Sequence, residues 1–234
     1  MELKVKIFAD GADKAGMLEM YKNPIIAGFT TNPTLMRKAG VDDYVAFAKE
    51  MCQLIPDRPL SFEVFSDEFN EMERQALEIK SWGPNVYVKI PITNTRQESS
   101  VPLVKKLTDT GVRLNVTAMF TEEQNAAVTE ATAGGPGAFL SIFAGRIADA
   151  GQDPLPIMTR CVEMLEPYPE LELIWASPRQ VLNAVQAADI GCHIITMTND
   201  LIKKLPNLGK DLTEFSLDTV KMFYNDAQSC GFTL

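Results

Sequence analysis

Three ionisable residues stand where strand-forming sequence would otherwise be apolar. Asp10 closes "KVKIFAD" (4–10), Glu63 lies within "LSFEVF" (60–65) and Lys89 within "VYVKIPI" (86–92). A lysine is almost never fully buried unless something pairs with it, and taking its charge out of water is costly. Desolvation disfavours an ammonium, so an amine held in such surroundings is drawn toward its neutral, nucleophilic form. A neutral amine attacks a carbonyl and forms a Schiff base. The resulting iminium is an electron sink for breaking a carbon–carbon bond next to the former carbonyl carbon. That chemistry needs a carboxylate to take the proton of the hydroxyl on the breaking bond, and another to manage the water lost and regained at the imine. Asp10 and Glu63 are the two candidates. No metal and no cofactor is required. The bland alternative for Lys89 is a long side chain whose amine reaches out to water.

These residues have to be positioned by something. Short apolar runs alternate with segments of helical period. Eight runs read as strands: 4–10, 25–31, 60–65, 86–92, 112–120, 138–144, 171–177 and 192–198. Between them, "DEFNEMERQALEIKSW" carries Met72, Ala76 and Ile79 near helical spacing. Thr121 followed by Gln124 is a capping-box pattern, and Ser177-Pro178 reads as an N-cap and first helical position. Eight strands alternating with helices in 234 residues, close to the usual length of about 250, predict a (β/α)8 barrel. An open doubly wound sheet is the runner-up, but no G-x-G-x-x-G or Walker A loop supports it. With no linker or internal repeat, residues 1–234 read as one domain. A short helix near 199–205 and a longer one, "LTEFSLDTVKMFYNDAQ", follow the eighth strand, and the longer exceeds what barrel closure needs.

Side chains alternate between the two faces of a strand. Val86, Val88 and Ile90 form one set of the fourth strand, Tyr87 and Lys89 the other. The same count sends Glu63, Asn115, Thr117, Ser141, Phe143 and Asp10 toward the barrel interior, at the strand ends where barrels carry their chemistry. Singly, a strand-end Ser, Thr or Asn reads as a cap or turn former; their convergence with a lysine and two carboxylates is harder to explain as structure. Arg146 follows the sixth strand, and Arg179 sits in the first turn after the seventh, beside Ser177. Free backbone N–H groups there make an anion site suited to phosphate. The alternative is that Arg146 pairs with an acid such as Asp149.

Bulk properties exclude several classes. A net charge of -9 argues against nucleic acid and anionic membrane as general partners. No apolar run reaches the roughly 18 residues that cross a bilayer, and the N-terminus has no secretory pattern. The four cysteines lack metal or disulfide spacing and suit a reduced, cytoplasmic setting. A single histidine, His193, leaves no multi-histidine metal site.

The motifs "FTTNPTL", "VKIPIT", "GVRLNVTAMFT", "SIFAGRI" and "ASPR" occur in order across the chain. Together they resemble the transaldolase family, in its short-chain branch that includes fructose-6-phosphate aldolases. The resemblance implies that Lys89 is the Schiff-base lysine and Asp10 the base of retro-aldol cleavage. It implies that Glu63 and Thr117 position the catalytic water, that Asn32 and Asn115 hold dihydroxyacetone hydroxyls, and that Ser141 contacts substrate. Arg146, Ser177 and Arg179 match its phosphate site. Similar short proteins are barrels that assemble as pentamers or decamers through the C-terminal helix, so a homo-oligomer acting on sugar phosphates is expected. Aldolases of the group tend to carry Gln on the third strand and Tyr on the sixth, transaldolases Glu and Phe; Glu63 and Phe143 are of the second kind. The expected activity is therefore transfer of a dihydroxyacetone unit from a ketose phosphate to an aldose phosphate. Release of free dihydroxyacetone is the alternative, and sugar-phosphate binding without turnover a third. The chain departs from the family pattern at Gly11, Ile142 and Ala144, in Thr196-Met197-Thr198-Asn199, and in the loop "TNTRQESS".

Overall fold

Alternation within each strand becomes an inside and an outside once the sheet closes on itself. In the computed structural model, which describes residues 3–231, eight parallel strands pair in chain order and the eighth pairs back to the first. The strands are β1 Lys6–Asp10, β2 Ile26–Thr30, β3 Leu60–Glu63, β4 Val86–Pro91, β5 Leu114–Met119, β6 Ala138–Ile142, β7 Leu171–Trp175 and β8 Ile194–Thr198. Each falls inside an expected run and is shorter than it at one or both ends. Residues 1–2 and 232–234 of the single-domain reading lie outside the described residues.

Helices fill every connection. α1 (Lys14–Tyr21) follows β1; α2 (Pro33–Lys38) and α3 (Tyr44–Leu54) follow β2; α4 (Phe69–Lys80), α5 (Val101–Asp109) and α6 (Glu122–Thr132) follow β3, β4 and β5. α7 (Ala144–Asp149) and α8 (Leu155–Leu165) follow β6, α9 (Leu182–Asp189) follows β7, and α10 (Asn199–Ile202) and α11 (Leu212–Cys230) complete the chain. The Thr121–Gln124 capping box forms as read, with both reciprocal bonds present. Met72, Ala76 and Ile79 are the buried stripe of α4, joined by Gln75. The pattern Ser177-Pro178 does not start a helix: α9 begins at Leu182, and Ser177 adopts a left-handed backbone at φ 60°.

The outward-facing strand residues, among them Val86, Val88, Ile90, Leu114, Val116 and Leu140, are buried under the helices. Inside the ring, Phe8, Phe139, Ile174, Ala176 and Ile194 form a second apolar cluster, with Tyr87 and Phe143 packed against it. Tyr87 stacks on Phe139 at 3.9 Å between centroids, and Phe8 meets Phe139 edge-on at 5.5 Å. Gly28 makes room for this cluster, because a Cβ there would lie 2.5 Å from the Phe8 ring. Cys52, Cys161, Cys192 and Cys230 are all free thiols, the first three buried. Among the described residues no helix is long and apolar enough to cross a membrane.

Candidate active site

Parallel register sets the polar residues level with one another. Glu63 on β3, Lys89 on β4 and Asn115 on β5 are direct neighbours across the ladder, as are Pro91 and Thr117, and Asp10 and Thr30. Lys89 is only 6% exposed. Its Nζ donates to the Thr31 carbonyl at 3.1 Å and lies 3.4 Å from Glu63 Oε2. Losing water costs an ion several kcal/mol, and these partners offset part of that cost. Burial pushes the Glu63 carboxyl above its usual range; the Lys89 ammonium opposes the rise and the Asp10 charge adds to it. The Asp10 carboxyl is raised in the same way, by burial first, with Lys89 and the Thr30 hydroxyl pulling it back. One lysine thus faces two carboxyl groups, both raised from their ordinary values by burial.

The amides and hydroxyls are held by one another. Asn115 Nδ2 donates to Ser61 Oγ at 3.0 Å, and its Oδ1 accepts from Ser141 Oγ at 2.7 Å, so Asn115 is fixed from both sides. Asn32 caps α2, its Oδ1 accepting from the Leu35 N–H at 3.0 Å, which leaves the amide NH2 to point elsewhere. Thr117 is buried, and its hydroxyl has no hydrogen-bond partner in the protein among the described residues. A buried hydroxyl with no partner costs about 1–3 kcal/mol, so a bound molecule that pairs with it is favoured. Four neighbours were not singled out from sequence. Ser61 lies two residues before Glu63 on one face, a signal that alternation carries. Thr30 ends β2 level with Asp10, and Thr196 lies mid-way along β8 level with Phe8. Tyr44, whose hydroxyl donates to the Glu63 carbonyl at 2.8 Å, comes from α3, where no strand count reaches.

The arginine corner is assembled differently from the expectation. Arg179 does not open a helix; it lies in the loop before α9, where Asn183 Oδ1 accepts from the backbone N–H groups of both Arg179 and Gln180. Those donors are therefore already occupied. It is Arg179, not Arg146, that pairs with Asp149, its Nε 2.9 and 3.0 Å from the two carboxylate oxygens, while its Nη1 donates to Ser177 Oγ at 2.9 Å. Asp149 is held below the usual carboxylate range by that guanidinium. Arg146 enters no ion pair among the described residues and lies over the Phe143 ring, 5.4 Å from its centre. Gly145 lets the corner close: a Cβ there would fall 1.6 Å from the Ser177 carbonyl oxygen.

An eight-stranded parallel barrel with an amine sunk among carboxyl, amide and hydroxyl groups at the C-terminal strand ends defines a class of barrel built for carbonyl chemistry. Within that class, the chain belongs to the Transaldolase/Fructose-6-phosphate aldolase family, whose profile matches residues 7–234. It is 36% identical to a probable transaldolase of Dehalococcoides mccartyi over 202 residues, covering 86% of this chain and 90% of that one. It is 31% identical to a probable transaldolase of Rhodospirillum centenum over 226 residues, covering 94% of each. Among solved structures it resembles a putative dihydrodipicolinate synthase family protein from Coccidioides immitis, at a TM-score of 0.54 and 13% identity over 83% of this chain and 68% of that one. A 2,3-dimethylmalate lyase gives the same TM-score at 14% identity, covering 99% of this chain and 85% of that one. At such identities the last two speak to the barrel alone.

Proposed function

We propose that the protein is a Schiff-base transaldolase, moving a dihydroxyacetone unit from a ketose phosphate to an aldose phosphate. The observation that carries this reading is the buried Lys89 amine, flanked by Glu63 and the Thr31 carbonyl, in a chain of this family. The Lys89 amine attacks the ketose carbonyl, and the hydroxyl so formed takes a proton from the Glu63 carboxyl and leaves as water, giving an iminium. Glu63 and the unpartnered Thr117 hydroxyl hold that water as it leaves and returns. Asp10 takes the proton of the hydroxyl on the carbon to be released. The carbon–carbon bond breaks, its electron pair passes to the iminium, and an aldehyde departs from an enamine on Lys89. The enamine adds to the acceptor aldehyde, Asp10 returns its proton to the new hydroxyl, and water frees the product. Asn32 and the doubly held Asn115 bind hydroxyls of the transferred unit, with Ser141 behind Asn115. Arg146 receives the phosphate, with Ser177 and Arg179 at its edge.

Transfer requires the enamine to wait for an aldehyde. Phe143 supports this, since its ring brings no hydroxyl that would protonate the enamine. Fructose 6-phosphate alone should give slow release of dihydroxyacetone, and an added aldose phosphate should speed turnover; Phe143→Tyr should raise the acceptor-independent rate. Rapid cleavage without acceptor by the unsubstituted protein would refute transfer and leave the aldolase activity. The setting we infer is cytoplasmic, in keeping with unpaired thiols. Assembly through α11 into a pentamer or decamer is supported by its exposed apolar residues, Phe215, Leu217, Val220, Met222, Phe223 and Tyr224.

A further inference from the structure

Two buried threonines flank Asp10 and neither has a part in the steps above. Thr30 on β2 is 2% exposed and Thr196 on β8 is 6% exposed. These two strands are the neighbours of β1 on either side. The Thr30 hydroxyl donates to Asp10 Oδ1 at 2.7 Å and is also in hydrogen-bonding contact with the Thr196 hydroxyl. A hydroxyl has one proton to give. Since Thr30 spends its proton on the carboxylate, Thr196 must be the donor in the second contact. The row therefore runs in one direction, from Thr196 to Thr30 to Asp10, and a hydrogen bond received at one end strengthens the bond given at the other.

We propose that Thr196 and Thr30 form a two-hydroxyl relay that orients Asp10 for proton transfer, with Thr196 a positioning residue that acts through Thr30. The relay fixes one carboxylate oxygen. Asp10 Oδ2 makes no hydrogen bond among the described residues and is the oxygen left to meet the substrate hydroxyl. The charged groups facing Asp10 are Lys89 from β4 and Glu63 from β3; β2 and β8 have no ionisable residue along their lengths and offer only hydroxyls. Burial favours the protonated acid, and the row of hydroxyls favours the carboxylate that must act as base. Removing a hydroxyl should thus move the acid limb of the rate profile to higher pH, which a purely structural role would not do.

The relay rests on the reading of Asp10 as the base, and the experiment separates the two. Rate–pH profiles for a fructose 6-phosphate and aldose phosphate pair would be measured for Thr196→Val, Thr30→Val and Thr196→Ser, alongside borohydride trapping on Lys89. Thr196→Val should lower kcat roughly 3- to 10-fold, as for a lost neutral hydrogen bond, and Thr30→Val roughly 10- to 100-fold, as for one to a charged group. The acid limb should rise in that order and return toward its original place in Thr196→Ser. Trapping should persist in all three, because imine formation precedes the Asp10 step. If Thr30→Val fails to fold, Thr196→Val and Thr196→Ser decide. Trapping with an unmoved acid limb in Thr196→Val would overturn the relay alone. No adduct on Lys89 in the unsubstituted protein would overturn the catalytic reading and the relay with it.

Discussion

Lys89, Glu63 and Asp10 put two carboxyl groups against one amine in a confined space, and this imbalance has a thermodynamic consequence. Both carboxyl groups are raised chiefly by burial. A carboxyl raised in the folded state favours folding at pH below its unfolded value, near 3.9 for Asp, and that contribution is lost as pH rises through its folded value. At neutral pH the carboxylate of Asp10 therefore opposes folding. Asp10→Asn mimics the neutral acid and should raise the thermal midpoint at pH 7 to 8, with the gain shrinking as pH falls toward 4, while abolishing turnover. An unchanged or lowered midpoint at neutral pH would show that Lys89 needs Asp10 for charge balance more than Asp10 suffers from burial. Such a trade of stability for activity is common at sites of this kind.

At the scale of elements, parallel register explains why so much of the site was legible. Once the strands are in place, alternation alone sends Lys89, Glu63, Asn115, Thr117, Ser141 and Asp10 inward, and the ladder sets Glu63, Lys89 and Asn115 level. Loops obey no such period. At the β7–α9 corner Ser177-Pro178 looks like a helix start, whereas Ser177 is left-handed, Asn183 Oδ1 accepts from the Arg179 and Gln180 N–H groups, and the helix begins only at Leu182. Tyr44 escaped because its place against Glu63 depends on how α3 packs. The same corner changes which arginine matters more. Asp149 occupies one edge of Arg179, and Arg146 has no acid partner among the described residues. Arg146→Ala should cost about 1.5–3 kcal/mol on phosphorylated substrates, roughly 10- to 150-fold in kcat/KM, with far less effect on unphosphorylated analogues. Arg179→Ala should cost less on the phosphorylated ones. Equal losses on both substrate types would make Arg146 structural.

For the molecule as a whole, closure of the ring and the surplus helix were both readable, the first from eight alternating units and the second from length beyond the last strand. A role for α11 in assembly came from the resemblance and not from its own residue pattern, and α11 has no buried residue in the single chain. Phe215, Leu217, Val220, Met222, Phe223 and Tyr224 are exposed along it, and large contiguous apolar surface of that kind marks interaction sites. Phe223→Glu should lower the mass seen by sedimentation, with the fold kept by circular dichroism; an unchanged mass would move the interface away from α11. The central claim concerns Lys89, and it is tested most directly by borohydride reduction in the presence of fructose 6-phosphate followed by mass mapping. A reduced three-carbon or whole-ketose adduct should appear on Lys89 and vanish in Lys89→Arg, whose guanidinium stays protonated and cannot serve as nucleophile. An adduct on another lysine, or none with a donor that the protein turns over, would contradict the assignment.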